Sequence, residues 1–423
     1  MNKEYFKENI LKYQNEDKRL STVYNRISAA RTLSFVVALV AAIYYADVRN
    51  GSAIFLVVGL FLISFVLLVK WHNRVKHARN HAQFLKKINE DELTRLAGDL
   101  SSFDTGEDFK SNSHYYSGDL DIFGQNSLFQ LLNRTTTITG RKMLSNWLLS
   151  PATKEDIEKR QEAIKELKVK PGFCQNFQAI GLHFKDVKAS FDPLKEWIEE
   201  PVKLKGNKLL IASSYVLPII TVTLLAGLIW FNVSFGFFMA SLLVNGLVLK
   251  KVLSYSLKIA EQTGKGVSTL SAIAQLIPQV ENSVFKSRLL NEIKNDLMNE
   301  GILSSTQIKR LVKILDFFNA RANMFYGIFD LIFLLDIHLI YWAEKWKITN
   351  RENVQKWFDS ISKFEVLVSF SQFSHANPEY VVPEIVEDEY QFETNEMGHP
   401  LIKVNERIHN NFQVENKGKV VII

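Results

Sequence analysis

A run of 41 residues, Leu209 to Leu249, contains no Asp, Glu, Lys or Arg. A second block, the 38 residues from Thr32 to Val69, holds only Asp47 and Arg49. The hydrocarbon core of a bilayer is about 30 Å thick and is spanned by roughly 17–25 apolar residues. Ala53–Val69 therefore fits one span, and Thr32–Ala46 is a shorter first arm, closed by the turn-like Asp47-Val48-Arg49-Asn50-Gly51-Ser52. Leu209–Phe231 and Asn232–Leu249 fit a third and a fourth span. Each block reads as a helical hairpin. Pro218 is expected to kink or interrupt the third span, which membrane helices tolerate better than soluble ones. Tyr44, Tyr45, Trp71, Trp230 and Phe231 lie near span ends, where amphipathic rings favour the interface. The competing reading, two core hairpins of a large soluble domain, sits poorly with so long a run without charge.

Averages over the 423 residues conceal this division: charged residues are 23%, hydrophobic residues 47%, and the net charge is +6. They exclude a disordered chain, a collagen and a disulfide scaffold, and the mild positive charge does not by itself indicate nucleic acid. All but two of the charged residues lie outside the blocks, and basic residues flank both. Lys18, Arg19, Arg26 and Arg31 precede the first, and Lys70, Arg74, Lys76 and Arg79 follow it. Lys203, Lys205 and Lys208 precede the second, and Lys250, Lys251 and Lys258 follow it. Positive flanks place the soluble mass in the cytoplasm and make the chain a multi-pass protein of the inner (cytoplasmic) membrane. Glu4–Arg31 reads as a polar helix before an anchor, since it has none of the marks of a cleavable signal. The lone Cys174 can form no internal disulfide and is expected to be a small buried hydrophobe.

His72–Leu100 has helical spacing, with Leu85, Ile88, Leu93 and Leu96 on one face. Ser101–Gly118 reads as a linker. Leu120–Leu167 reads as helical with a break at Pro151, where Thr153, Glu155 and Asp156 look like a helix start. Lys250 to about Ser374 is helical again, with Gly301 expected to end one helix. Within it, Phe325–Trp342 is apolar but carries Asp330, Asp336 and His338, and so reads as a soluble core helix, with an intramembrane proton site as the sharper alternative. After Ser374 the chain turns β-prone, at Tyr380–Val382, Glu384–Val386, Phe412–Val414 and Lys419–Ile423.

No self-contained catalytic constellation is present: no H-E-x-x-H, no paired cysteines, no G-x-S-x-G and no complete G-x-x-x-x-G-K-[ST]. Catalytic residues and metal ligands are accordingly assigned to none. Gly264-Lys265-Gly266 lacks the first glycine of a phosphate loop, Ile259 standing there, and reads as a helix break. His72, His77 and His81 lie four or five apart, as a solvated polar face or a metal site.

One stretch is more specific. Leu120-Asp121-Ile122-Phe123-Gly124, Ser127-Leu128, Leu131-Leu132-Asn133-Arg134-Thr135-Thr136-Thr137, Gly140-Arg141, Leu144, Trp147-Leu148, Pro151, Ile157, Arg160-Gln161 and Leu167 follow one another in order. This series closely resembles the start of the core (lever) domain of the MutS family of DNA mismatch repair ATPases. Further on, Phe364-Glu365-Val366-Leu367-Val368-Ser369 and Tyr380-x-x-Pro383 resemble the family's passage from lever helices into its ATPase domain. Gly398-His399-Pro400-Leu401 resembles the signature that opens that domain, Asn410 or Asn411 an Asn before its ATP-domain strand, and Lys419–Ile423 the strand feeding its Walker A loop.

The resemblance and the two apolar blocks together imply a mainly α fold: a MutS-like core/lever helical domain, departing from the family in its two transmembrane helical hairpins, with a short C-terminal β segment that begins an α/β ATPase domain. The expected segments are an N-terminal cytoplasmic helix (1–31), a first hairpin (32–70), a juxtamembrane helix and linker (71–118), a first MutS-like core segment (119–208), a second hairpin (209–249), core/lever helices (250–375) and the start of the ATPase domain (376–423). A phosphate loop would begin just past Ile423. The chain is therefore expected to be truncated, a domain fragment or a shortened gene product, that does not itself hydrolyse ATP. ATP and Mg are implied only for a full-length parent, with no cofactor in this chain. The family's mismatch-reading N-terminal domain is absent, and Phe6-Lys7-Glu8 matches its Phe-x-Glu wedge by coincidence. By resemblance, Arg407, Ile408 and Asn410 fall near the adenine contact, and Gly398, His399 and Pro400 form the domain-opening motif, with an exposed loop and a turn as the plainer readings. Arg134, Thr135, Gly140 and Arg141 read as packing and capping. The implied function is the lever of an ATP-dependent, DNA-binding mismatch repair switch tethered to the membrane, with membrane and DNA as partners and a homodimer as its state. The alternative is a membrane scaffold that acts through protein partners without DNA.

Overall fold

The computed structural model describes residues 2–111, 113–184, 192–264, 266–299, 302–386 and 391–415. Its helices are α1 (Lys3–Asp47), α2 (Gly51–Leu96), α3 (Leu128–Leu132), α4 (Ile138–Leu149), α5 (Lys154–Lys168), α6 (Pro171–Leu182) and α7 (Asp192–Glu199). They continue with α8 (Lys208–Trp230), α9 (Phe235–Gly264), α10 (Val267–Glu281), α11 (Arg288–Asp296), α12 (Ser304–Asn319), α13 (Met324–Phe333) and α14 (Leu335–Ala376). Two short 3-10 helices (Glu107–Phe109 and Ala320–Ala322) and two antiparallel ribbons complete the described elements, β1 (Met298–Asn299) with β2 (Ile302–Leu303), and β3 (Gln391–Met397) with β4 (Asn410–Glu415). The chain divides into two compact units, Met1–Asn133 with Leu167–His183 and Phe370–Ile423, and Arg134–Glu166 with Phe184–Ser369.

In the first unit α1 and α2 form one long antiparallel hairpin. Their 45 and 46 residues correspond to roughly 70 Å at 1.5 Å per residue. The apolar arms are the distal halves of these helices, so the expected boundaries near residues 31 and 70 fall inside continuous helices. The tip turns at Arg49, whose φ is 55°, and Asn50 caps α2 by accepting the Ala53 amide at 3.1 Å. In the distal halves Phe35, Val37, Phe55, Leu56 and Leu67 are exposed. In the proximal halves Asp17 accepts from Arg79 and from Gln83, each at 2.9 Å. The base packs on α6 through Leu85, Ile88 and Ala179, with Tyr13, Phe84 and Leu182 around them. Asn89 and Gln175 exchange side-chain amide hydrogen bonds at 3.2 and 3.0 Å inside this contact. Cys174 is buried beside them, and burial pushes its thiol up to about 12, as expected of a small hydrophobe.

The described residues of the stretch 101–127 form one 3-10 turn, Glu107–Phe109, and are otherwise irregular but held. Gln130 donates to the Leu100 and Phe103 carbonyls at 3.0 and 2.9 Å, and Ser127 with Gln130 forms a capping box on α3. Gly106 takes φ 62°, and a Cβ there would come within 2.8 Å of Phe123 and Phe129.

In the second unit α8 and α9 form the other apolar hairpin, turning at Asn232 with φ 51°. α8 runs unbroken through Pro218, so the proline does not interrupt it. The Pro151 break is found between α4 and α5, with Thr153 accepting the Asp156 amide at 3.2 Å. α9 ends at Gly264 and α10 begins at Val267, as a helix break requires, while Lys265 lies outside the described residues. Gly301, expected to end a helix, also lies outside them.

Phe325–Trp342 departs from the single core helix expected of it. α13 and α14 meet at an angle of 80°. Leu334 between them is buried and left-handed, with φ 51°. Asp330 explains the break: its carbonyl accepts the Leu334 amide at 2.7 Å and its carboxylate caps the new helix by accepting the Asp336 amide at 2.9 Å. The outer face of α13, Phe325, Ile328, Phe329 and Phe333, is exposed.

At the C-terminal end Tyr380–Val382 and Glu384–Val386 form no strand. Val381 and Val382 are exposed, so their β propensity finds no sheet to join. Phe412–Val414 does lie in β4, paired with β3, and Lys419–Ile423 lies outside the described residues.

The α2–α6 contact carries a titration consequence. His183, at the end of α6, stacks on His77 at 4.1 Å and lies 5.6 Å from the parallel ring of His81. Burial, then His77 and His81, lowers His183 to about 4, and burial also lowers His81. The unfolded chain therefore takes up the His183 proton near pH 6.5, before the folded one does, and stability falls as pH drops from 6.5 towards 4. We expect His183→Gln to flatten this loss when amide exchange of α6 is followed between pH 7 and 4.5. An unchanged slope would remove His183 as its source.

Candidate functional site

The helix that organises the second unit is α14, and it does so through buried acids. A helix start leaves four backbone N–H groups without intrahelical acceptors and carries a positive partial charge, so a carboxylate from a neighbouring helix satisfies both. Glu365 of α14 is such an acid. Its Oε1 accepts the Thr136 and Thr137 amides at 2.8 and 3.2 Å and the Thr136 hydroxyl at 2.7 Å, and its Oε2 accepts the Thr137 hydroxyl. Thr137 in turn caps α4 by accepting the Gly140 amide at 2.9 Å. A Cβ at Gly140 would run into Glu365 Oε2, so this position has room only for glycine. One turn along α14, Ser369 accepts the Arg134 amide at 3.2 Å. Burial raises Glu365, and the four donors from Thr136 and Thr137 oppose that shift.

Glu344, on the same helix, is fully buried and holds the second hairpin at both ends. It accepts the amides of Lys203 at 2.5 Å, Leu204 at 3.0 and 2.9 Å and Lys205 at 2.9 Å, just before α8. It also accepts the hydroxyl of Tyr255, on the last third of α9, at 3.1 Å. Nearby Lys347 donates to the Trp197 carbonyl and lies over its ring, and burial lowers its ammonium to about 8. At the start of α14, Asp336 pairs with Arg321 and accepts the Tyr326 hydroxyl at 2.6 Å. His338 contacts the Ser214 carbonyl of α8 at 3.0 Å, and Asn245 of α9 donates to the Leu331 carbonyl of α13 at 2.9 Å. The hairpin is thus fastened to α13 and α14 along both arms.

The residues carried over for nucleotide contact sit in the β3–β4 loop of the first unit. Arg407 donates to the carbonyls of Pro400 at 3.2 Å and Ile402 at 2.8 Å and to the Tyr380 hydroxyl at 2.5 Å, so its guanidinium braces its own loop. Gly398 lies beneath it, where a Cβ would collide with Arg407 Cδ. His399 Nδ1 accepts the Leu401 amide at 3.4 Å. Asn410 opens β4 opposite Met397, next to a bulge, and Ile408 points outward, 77% exposed. The structure therefore brings Gly398, Pro400 and Arg407 together and leaves Ile408 apart. Among the described residues no group of three or more His, Cys, Asp or Glu is placed to hold a metal ion.

Sequence reasoning quoted Glu365 only within a resemblance and missed Glu344. The available signal was a charge on a buried stripe: Ile340, Ala343, Trp346 and Lys347 surround Glu344 at helical spacing.

The comparison with protein families decides the relationship: the model described as MutS domain III matches residues 112–371. The chain belongs to the MutS family. Domain III places it with MutS-type proteins of DNA mismatch repair, and the match runs across α8 and α9, so the apolar hairpin lies inside the MutS domain. No curated protein and no solved structure matches the chain. The carboxylate contacts of Glu365 fall on the Thr136-Thr137 and Gly140 positions that carry the MutS resemblance, which makes this block structural.

Glu365→Ala leaves the Thr136 and Thr137 donors unpaired and is expected to cost about 3 kcal/mol. Gly140→Ala is expected to act in the same direction through its clash. Thermal unfolding of both variants checks this, and an unchanged midpoint for both would show that the contact contributes nothing to stability.

Proposed function

We propose that the chain is the core and lever region of an ATP-dependent, DNA-binding MutS-type switch that is tethered to a membrane. The observation that carries this reading is the Glu344 contact. One buried carboxylate on α14 binds the backbone entering α8 and the tyrosine leaving the hairpin on α9, so motion of the lever and of the hairpin are coupled. Membrane tethering is supported by four helices, α1, α2, α8 and α9, long and apolar enough to cross a bilayer, of whose apolar windows no more than 17% is buried. The basic flanks of both hairpins support a cytoplasmic location for the rest. The β3–β4 ribbon, with Gly398, His399 and Pro400, is read as the opening of the ATPase domain, and a dimer follows from the family.

ATP and Mg belong to this reading as the motor's ligands. The described residues do not by themselves fit them. Arg407 is engaged by its own loop, and Ile408 and Asn410 offer at most an edge to a purine ring. No nucleotide step is derived from this chain.

Flotation with liposomes tests the tether: co-flotation is expected, and recovery in the soluble fraction without detergent would overturn it. Orientation is read from single cysteines placed at Asn50 and Val233 in the hairpin tips, since Cys174 is buried. Labelling of both from the outside of intact cells is expected. Duplex DNA binding by the reconstituted chain should weaken linearly on a log–log scale with salt. No binding at about 50 mM salt would remove DNA as a ligand of this region.

A further inference from the structure

A groove of about 520 Å³ runs between α12 and α14 in the second unit. Its two walls are fastened to each other, Trp346 Nε1 donating to the Gln307 carbonyl at 2.7 Å. The lining is graded along its length. Phe317, Leu339 and Trp342 line one end, and Phe317 and Trp342 remain 59% and 48% exposed. Lys313 and Lys345 follow about one turn on, and Arg310 one turn beyond Lys313. No acidic residue lines the groove, and no ion pair among the described residues engages Arg310, Lys313 or Lys345.

The direction of the gradient matters. Phe317 is in the last turn of α12, which leads through Ala320–Ala322 into α13, and Trp342 is two turns from the start of α14. The apolar end is therefore the end beside α13. α13 packs against the apolar hairpin α8–α9 and turns Phe325, Ile328, Phe329 and Phe333 outward. The cations stand further along α12 and α14 from α13 than the aromatic residues do. A molecule with an apolar tail directed towards the bilayer and an anionic group above it meets complementary surface at both ends. Exposed Trp at such a boundary suits the headgroup level.

We propose that the α12–α14 groove binds an anionic phospholipid, with its phosphate between Arg310, Lys313 and Lys345 and its upper acyl segments against Phe317, Leu339 and Trp342. α13 then lies in the membrane face with its aromatic side chains towards lipid. This rests on the membrane reading of the hairpins and adds to it a lipid class and a site on the lever itself. Occupation of the groove would link lipid composition to the position of α14.

The full chain, purified in detergent, is titrated with dioleoyl phosphatidylglycerol and separately with dioleoyl phosphatidylcholine, and bound lipid is counted by native mass spectrometry. The wild type is expected to bind phosphatidylglycerol roughly tenfold more tightly. Arg310→Ala, Lys313→Ala and Lys345→Ala are each expected to weaken it by roughly fivefold, and the triple variant to lose the preference. Arg310→Lys with Lys345→Arg keeps the charge and should keep the preference. A control triple at lysines outside the groove, Lys142→Ala, Lys286→Ala and Lys356→Ala, should leave it unchanged. Equal affinity for the two lipids, or an equal loss in the control triple, overturns the proposal. So does duplex DNA binding that the groove variant abolishes while lipid preference is absent, which would assign the groove to nucleic acid. A chain that floats with liposomes yet shows no lipid preference overturns this inference alone. A chain recovered soluble overturns the membrane reading and this inference together.

Discussion

Buried carboxylates that accept backbone N–H groups at helix starts hold the second unit together. Glu365 does this for α4, Glu344 for the segment before α8 and Glu281 for Ser305 at the start of α12, while the half-buried Glu166 makes the same kind of contact with Lys286 and Ser287 before α11. The three buried acids each pair a donor that would otherwise be unsatisfied in a low-dielectric interior, and all four complement the positive end of a helix dipole. Apolar packing alone would leave the helices free to slide along one another. A carboxylate bound to two or three consecutive amides fixes both the register and the angle of entry, because the acceptors lie in one plane and the donors diverge.

Two of these acids stand on α14, and their spacing sets how far apart its two carboxylate contacts lie. Glu344 and Glu365 are 21 residues apart, about 30 Å along a helix axis. One end of that segment holds the apolar hairpin and the other holds the threonine block that carries the family resemblance. The 80° turn at Leu334 ends this rod beside α13, and a left-handed leucine is tolerated there because Asp330 binds on both sides of the break.

Much of the architecture was legible. The hairpins follow from the charge-free runs, because charge is costly in any apolar setting and its absence over 41 residues is hard to produce otherwise. The Pro151 break and the Gly264–Gly266 break were legible from local chemistry, and the block around Arg134, Thr135, Gly140 and Arg141 was legible as packing and capping, although the cap itself falls to Thr137. The broken helix at Leu334 was not. No Pro or Gly stands between Asp330 and Asp336 to announce it, and the break comes from a hydrogen bond between side chain and backbone that no spacing rule encodes. The strands at Tyr380–Val382 failed for the opposite reason: β propensity without a partner strand makes no sheet. Arg407, which the resemblance set near an adenine contact, is engaged by the fold with two carbonyls and a tyrosine.

Sequence by itself determined the two apolar hairpins, their basic flanks and the MutS relationship, since all three are written in residue order and composition. Only the tertiary structure decided which acids are structural, that one of them clasps both ends of a hairpin, and that Arg310, Lys313 and Lys345 from two helices converge on one groove. Those features depend on residues far apart in the chain meeting at distances of a few ångströms. Periodicity fixes which face a side chain takes, but not the partner that the face will meet.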